Sequence, residues 1–365
     1  MKEIIKETIR RIVYFFSAGA IKKKIRHLPK IDLAAEVPKN TILVMERYQK
    51  HDECLPGCVK YFQDLGYNVE VVSRYQKCAE MPFSNYPNLP RFLFLKSKRA
   101  VKKMLGSKRT AGYEYIFFNS SLGRGGVFCL DDLKVQPNAK NGCLFMFHNG
   151  YHVVPDKYKN RIFCIVNGIG QPQLNPHYFG EFPKTEKNQK TVFLTIGRQN
   201  ARNYDSLIDA TKRLASQNKE FEIRNIGWAG KINIPDGLED YFINLGRLDF
   251  PNMYSQIQQA DFIIAGLDPE LHQTYKEGQA TGNLQLSFGF KKPMLIEKSF
   301  GPGYELTMKN AILYRGDGFY KAMLGAVEMT GAEYAKMQTA LGSTAKKVWS
   351  RSLKNLETLL KVCKK

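Results

Sequence analysis

No run in the sequence reaches the roughly 18–20 apolar residues that a helix needs to cross a bilayer. The longest candidate, Ile12 to Ile21, is too short. No small-residue cleavage site follows it, and Lys22-Lys23-Lys24 stands where one is expected, so it does not read as a secretory signal. The G-x-G-x-x-G fingerprint is missing as well. The loop after the first predicted strand, ERYQKHDEC (46–54), contains no glycine, which argues against a nicotinamide or flavin enzyme. The seven cysteines are scattered and odd in number. Cys54 and Cys58 have helical spacing rather than that of a metal knuckle, and reduced, buried thiols of a cytosolic protein are expected. His148 and His152 lack a carboxylate or third ligand nearby, so no metal site is expected. Acidic residues are the scarcest charged class: 34 Asp and Glu stand against 55 Lys and Arg, a net charge of +21. Such a field favours polyanions, whether nucleic acid, anionic lipid or phosphorylated small molecules.

A length of 365 residues predicts two domains, and 43% hydrophobic residues with 12% aromatics supply folded cores. Residues 1–30 place Ile4, Ile5, Ile9, Ile12, Val13 and Phe16 on one helical face and Lys2, Lys6, Arg10 and Arg11 on the other. A basic amphipathic helix of this kind suits an anionic membrane surface, or packs on the protein's own body. From Thr41 a strand, a helix over Leu55 to Leu65, Gly66 and a strand over Asn68 to Val72 form a Rossmann-like opening. Arg91 to Arg109 carries no acidic residue and predicts an amphipathic helix. Its Lys98, Arg99, Lys102 and Lys103 form either a solvated face or a surface for anionic lipid or an anionic acceptor; no nucleic-acid recognition motif accompanies them. Buried strands are expected at Tyr115–Phe118, Cys143–Phe147 and Arg161–Val166, each running into polar or glycine residues, the second into His148.

A polar stretch over 175–190 predicts the linker, and a second doubly wound domain follows. Its strands are Thr191–Ile196, Phe221–Ile226, Phe242–Leu245 and Asp261–Ala265, with helices over Tyr204–Leu214 and Met253–Gln259. Within it TGNLQLSFGFKKPMLIE (281–297) predicts a turn, a helix stopped by Gly289, a Lys-Lys-Pro loop and a buried strand. The helix begins at a bare Thr281-Gly282-Asn283 turn, where unpaired N–H groups and the helix dipole favour a phosphate. Lys346 to Val362 predicts a terminal helix. The domain limits expected are 1–30, 31–182, 188–340 and 341–365, giving an α/β protein of two Rossmann-like domains facing a cleft.

Four segments carry a resemblance: FLTIGRQNARNYDSLIDA (193–210), FINLGRLDFPNMYSQIQQADFII (242–264), GLDPELHQTYKEGQATGN (266–283) and LQLSFGFKKPMLIE (284–297). Together they resemble the donor-binding domain of the retaining, family-4-like glycosyltransferases of the GT-B fold. The first half resembles the acceptor-binding domain more loosely, through 41–73 and the FMFHN strand end. The resemblance implies that Arg198 and Arg202 neutralise a nucleoside diphosphate, together with the N–H groups of Gly282 and Asn283. It implies that His148 contacts the transferred sugar and that Glu277 and Gln285, at the family's spacing of paired glutamates, contact sugar and ribose. A register aligned on Pro293 would instead place Gly278 and Leu286 there. Leu248 falls at the nucleoside, and Arg124 in NSSLGRGG (119–126) at donor or acceptor phosphate.

The function this implies is transfer of a sugar from a nucleotide-sugar donor to a lipid-linked or lipopolysaccharide-type glycan. It would be retaining, need no cofactor or metal, and take place at the cytoplasmic face of a membrane with an anionic surface as partner and no nucleic acid. Competing readings are a non-catalytic GT-B-like subunit of a glycan assembly complex, a nucleic-acid-binding protein and a sugar-nucleotide epimerase.

Overall fold

The computed structural model describes residues 35–46, 51–73, 81–95, 97–121, 129–148, 156–166, 170–198, 204–228 and 233–364. The amphipathic segment expected over 1–30 lies outside them. The first sheet holds β1 (Thr41–Glu46), β2 (Asn68–Ser73), β3 (Arg91–Phe94), β4 (Tyr115–Phe118), β5 (Cys143–Phe147) and β6 (Ile162–Cys164), in the order β3-β2-β1-β4-β5-β6. The second holds β7 (Thr191–Arg198), β8 (Phe221–Trp228), β9 (Phe242–Gly246), β10 (Phe262–Ile264), β11 (Met294–Glu297) and β12 (Ile312–Tyr314), in the order β12-β11-β10-β7-β8-β9. Every pairing is parallel. The runs TILVME, YIFF and CLFMF are buried throughout, as strands covered on both faces must be. In each sheet the strand order reverses beside the founding strand, between β1 and β4 and between β7 and β10. That reversal opens a crevice at the carboxyl ends of the strands. Two Rossmann-like domains are therefore what the chain forms.

The helices are α1 (Leu55–Asp64), α2 (Lys98–Leu105), α3 (Cys129–Leu133), α4 (Asp205–Ala215), α5 (Phe250–Gln259), α6 (Gln273–Lys276), α7 (Gly282–Phe290), α8 (Phe319–Glu328) and α9 (Gly331–Cys363). Helices α2 and α3 cover the outer face of the first sheet; α4 and α8 cover the outer face of the second. Between the sheets lies one continuous apolar core, to which α1, α5, α7 and α9 all contribute. Helix α7 sits at its centre and is buried nearly all round, which is why it shows no polar stripe.

Three expectations need correction. Arg91 to Arg109 is not one helix: Arg91–Phe94 is the edge strand β3, and α2 begins only at Lys98, capped by Ser97. Two of its charges pair with the buried Glu70 on β2, the exposed Arg91 and the buried Arg109. Gly289 does not stop α7. The helix runs through it to Phe290 and ends at Lys291, whose φ of 53° is left-handed. The terminal helix starts at Gly331 rather than near Lys346, fixed by a Thr330–Glu333 capping box. This helix begins on the second domain, where Tyr334 donates to the Asp261 carbonyl at 2.9 Å. It ends on the first, where Tyr115 donates to the Leu360 carbonyl at 2.7 Å and Trp349 stacks on Tyr61. No helix among the described residues is long and apolar enough to cross a membrane.

Candidate active site

The carboxyl ends of β1, β4 and β5 form one lip of the cleft. Glu46 closes β1 and is buried; its Oε2 accepts from Asn119 Nδ2 and Ser120 Oγ, both at 2.7 Å. The same Asn119 amide donates to the His51 carbonyl at 2.8 Å, drawing the loop after β1 over the end of β4. His148 follows β5. Its Nε2 lies 2.7 Å from the Asn119 carbonyl, and its ring stacks on His51 with centroids 3.6 Å apart and planes 11° from parallel. A carbonyl only accepts, so Nε2 carries the proton. Burial first, then the neighbouring His51, holds the His148 imidazolium pKa well below the ordinary histidine range, and at neutral pH the ring is uncharged.

Beside this pair sits Asp52, 4% exposed, whose Oδ1 has no hydrogen-bond partner among the described residues. Burial, then Glu46 and Glu53, pushes its carboxyl from 3.8 up to about 8. The unfolded chain loses this proton near pH 4 and the folded chain keeps it to about 8. Between those values the native state binds more protons, so stability falls as pH rises. Asp52→Asn is expected to match the parent near pH 4 and to exceed it increasingly up to pH 8, by several kcal/mol at about 1.4 kcal/mol per unit. Urea unfolding at both ends of the range measures the gap; a constant gap would mean that Asp52 is ionised in the folded protein.

The opposite lip is the loop from β10 to α7. Asp268 accepts from the N–H groups of Glu270 and Leu271, then α6 leads to Glu277. Tyr304 donates to the Gln279 carbonyl at 3.0 Å. The next residue, Ala280, donates its N–H to the His148 carbonyl at 3.3 Å, joining the two lips directly. Thr281 is the N-cap of α7 but its side chain makes no capping bond. Gly282 is exposed, with no heavy atom within 4 Å of where a Cβ would stand. The helix thus opens bare toward the cleft, and such an end attracts anions.

The sequence-predicted residues are placed unevenly. His148, Gly282 and Asn283 come together through the Ala280 link. Glu277 lines an interdomain cavity of about 230 Å³ with Tyr275, Tyr304 and, from the first domain, Val166. Asn283 and Gln285 are 3% and 2% exposed, and neither Asn283 Nδ2 nor Gln285 Nε2 finds a partner among the described residues. Leu248, half-buried beyond β9, packs on the interdomain core. Arg198 ends β7 beside the switch point, its side chain outside the described set. Arg202 and Arg124 lie outside the described residues, as does His152. Lys98, Arg99, Lys102 and Lys103 are exposed on α2, on the outer face of the first sheet and away from the interdomain core. A second cavity of about 240 Å³, beyond β10 and β12, is lined by Asp268, Glu297 and Asp317 among others. Sequence reasoning placed Asn119 at a strand end but missed His51 and Asp52; the His-Asp-Glu triplet in the loop after the first strand was the available signal.

Two separate parallel six-stranded sheets, with a long helix returning from the second domain to the first, have counterparts among solved structures. AviGT4, a glycosyltransferase involved in avilamycin A biosynthesis, superposes over 88% of this chain and 98% of its own, at 10% identity and a TM-score of 0.55. This chain has the GT-B fold. Anabaena HepE, solved with UDP and glucose, shares the fold over 88% of this chain and 99% of its own, at 14% identity and a TM-score of 0.52. A glycosyltransferase from Rickettsia africae shares it over 90% and 99%, at 12% identity and 0.51. No family model matches the sequence, and no curated protein matches it by sequence.

Proposed function

We propose that this protein is a GT-B glycosyltransferase that moves a sugar from a nucleotide-sugar donor to a lipid-linked or lipopolysaccharide-type glycan. The observation that carries the reading is the Ala280–His148 hydrogen bond. It sets a neutral imidazole from the first domain against a bare helix N-terminus in the second. A departing nucleoside diphosphate gathers negative charge. The N–H groups of Gly282 and Asn283 stabilise it at the dipole's positive end, and Arg198 and Arg202 supply the positive charge that neutralises it. The sugar lies between His148 and Glu277, and the nucleoside extends toward Gln285 and Leu248. Closure of the two domains excludes water and suppresses hydrolysis. The reaction is retaining, with the leaving diphosphate stabilised by cations and N–H groups without a metal. The exposed Lys98, Arg99, Lys102 and Lys103 hold the enzyme to an anionic membrane surface on the cytoplasmic side, and Arg124 meets a substrate phosphate.

Thermal unfolding against a panel of nucleotides and nucleotide sugars tests the donor site. A ligand at 100 times its dissociation constant stabilises the native state by about 2.7 kcal/mol. A shift with one nucleoside diphosphate is expected, and Arg198→Ala should abolish it. A flat response to the whole panel sinks the catalytic reading and leaves a non-catalytic GT-B-like subunit of a glycan assembly complex.

A further inference from the structure

The first domain's lip contains a device that the donor-site reading does not use. Two imidazoles lie face to face, 3.6 Å between centroids, and one asparagine fixes both. The Asn119 side chain, fully buried, donates to the His51 backbone carbonyl at 2.8 Å; its own backbone carbonyl lies 2.7 Å from His148 Nε2. Glu46 and Cys58 hold the Asn119 amide from behind. The His51 ring is therefore set over His148 by its backbone anchor, and its Nδ1 stands 3.4 Å from Glu53 Oε1.

We propose that His51 is a positioning residue: its ring, stacked on His148, holds that imidazole with Nε2–H committed to Asn119 and Nδ1 offered as a hydrogen-bond acceptor to a hydroxyl of the transferred sugar. This rests on the glycosyl-transfer reading of His148. A neutral imidazole has one donor and one acceptor nitrogen, and which is which follows from the bond its other nitrogen makes. Here the donor is spent inside the protein, since Nε2 faces a carbonyl. His148 Nδ1 makes no hydrogen bond with a described residue, so the group left for substrate is a lone pair. A single hydrogen bond leaves a ring free to swing about its bond to the backbone; a parallel ring at van der Waals distance removes that freedom. The recognised group on the sugar is then a hydroxyl that donates, and a sugar lacking a hydroxyl there is discriminated against, because the acceptor would be left unpaired.

The test uses the full-length protein labelled with ¹⁵N at histidine, with His148→Gln identifying the His148 signals. The parent is expected to show a pyridine-type Nδ1 and a pyrrole-type Nε2 for His148 near neutral pH. His51→Phe keeps a stacking ring and should keep this pattern; His51→Ala should give averaged shifts from a ring that exchanges between states. An unchanged, single tautomer in a folded His51→Ala protein overturns the proposal. With UDP-glucose as donor probe, His51→Ala is expected to lower kcat about tenfold with KM changed less than about twofold, and His51→Phe to restore most of the rate. No turnover by the parent would count against the glycosyl-transfer reading. The stacked pair is decided by the tautomer alone.

Discussion

Gly282→Leu is expected to weaken binding of a nucleoside diphosphate more than about 100-fold while leaving thermal stability unchanged. The stability half follows from space and propensity: a Cβ at Gly282 meets no heavy atom within 4 Å, and leucine is the better helix former. The binding half follows from the same open space, which is where an anion must come to reach the first N–H groups of α7. A branched side chain there covers those groups and displaces the ligand. Gly331→Leu is the matched control, since it too opens a helix with nothing within 4 Å. Titration calorimetry on both variants reads the difference. Equal affinities would place the diphosphate elsewhere.

Gly57→Ala and Gly289→Ala are expected to lower the unfolding midpoint, each by about 4 °C if the cost is about 3 kcal/mol. Both glycines lie inside helices, where alanine is worth about 1 kcal/mol more on propensity alone, so the sign of the change decides the matter. A Cβ on Gly57 would stand 2.6 Å from the backbone of Pro176, and one on Gly289 would stand 2.5 Å from Phe179 and 2.6 Å from the His177 carbonyl. The segment between the two sheets thus threads between α1 of one domain and α7 of the other, at distances only glycine permits. The Pro176 contact is with main chain, which cannot rotate away. Calorimetry on the two variants measures the effect, and a raised midpoint for either would show that the segment packs otherwise.

The strands were readable because a parallel strand buried on both faces leaves an unbroken apolar run, as in TILVME and CLFMF. β3 was hidden because its RFLF stands at the head of a basic stretch whose later part is truly helical. Gly289 was misread for a related reason. Its role is a contact across the domain junction, and nothing local tells a helix-ending glycine from one that makes room for a neighbour. The first half of α9 carries Gly331, Gly342 and several Ser and Thr, so tertiary packing and a capping box, rather than propensity, make it helical. In the candidate site, the turn at Thr281–Asn283 and the histidine after β5 were legible from strand-end chemistry. The His51–His148 stack was not, because it joins residues nearly a hundred apart through the side chain and backbone carbonyl of a third. Nothing in the loop sequence marks Asp52 as a protonated acid, because burial and two neighbouring carboxylates, which only the fold supplies, give it a reason to keep its proton.

The course of α9 also sets an order of assembly. The six strands of the first sheet are complete once Cys164 has been made, and a nascent domain ordinarily folds as it emerges. Yet Leu356, Leu359 and Leu360, which help to fill the core this sheet shares with the second, are made only after every strand of the second sheet. The half of the protein that is made first is thus finished last. Through the whole synthesis of the second domain it waits with an apolar face uncovered, and the last turns of α9 seal both halves in one step.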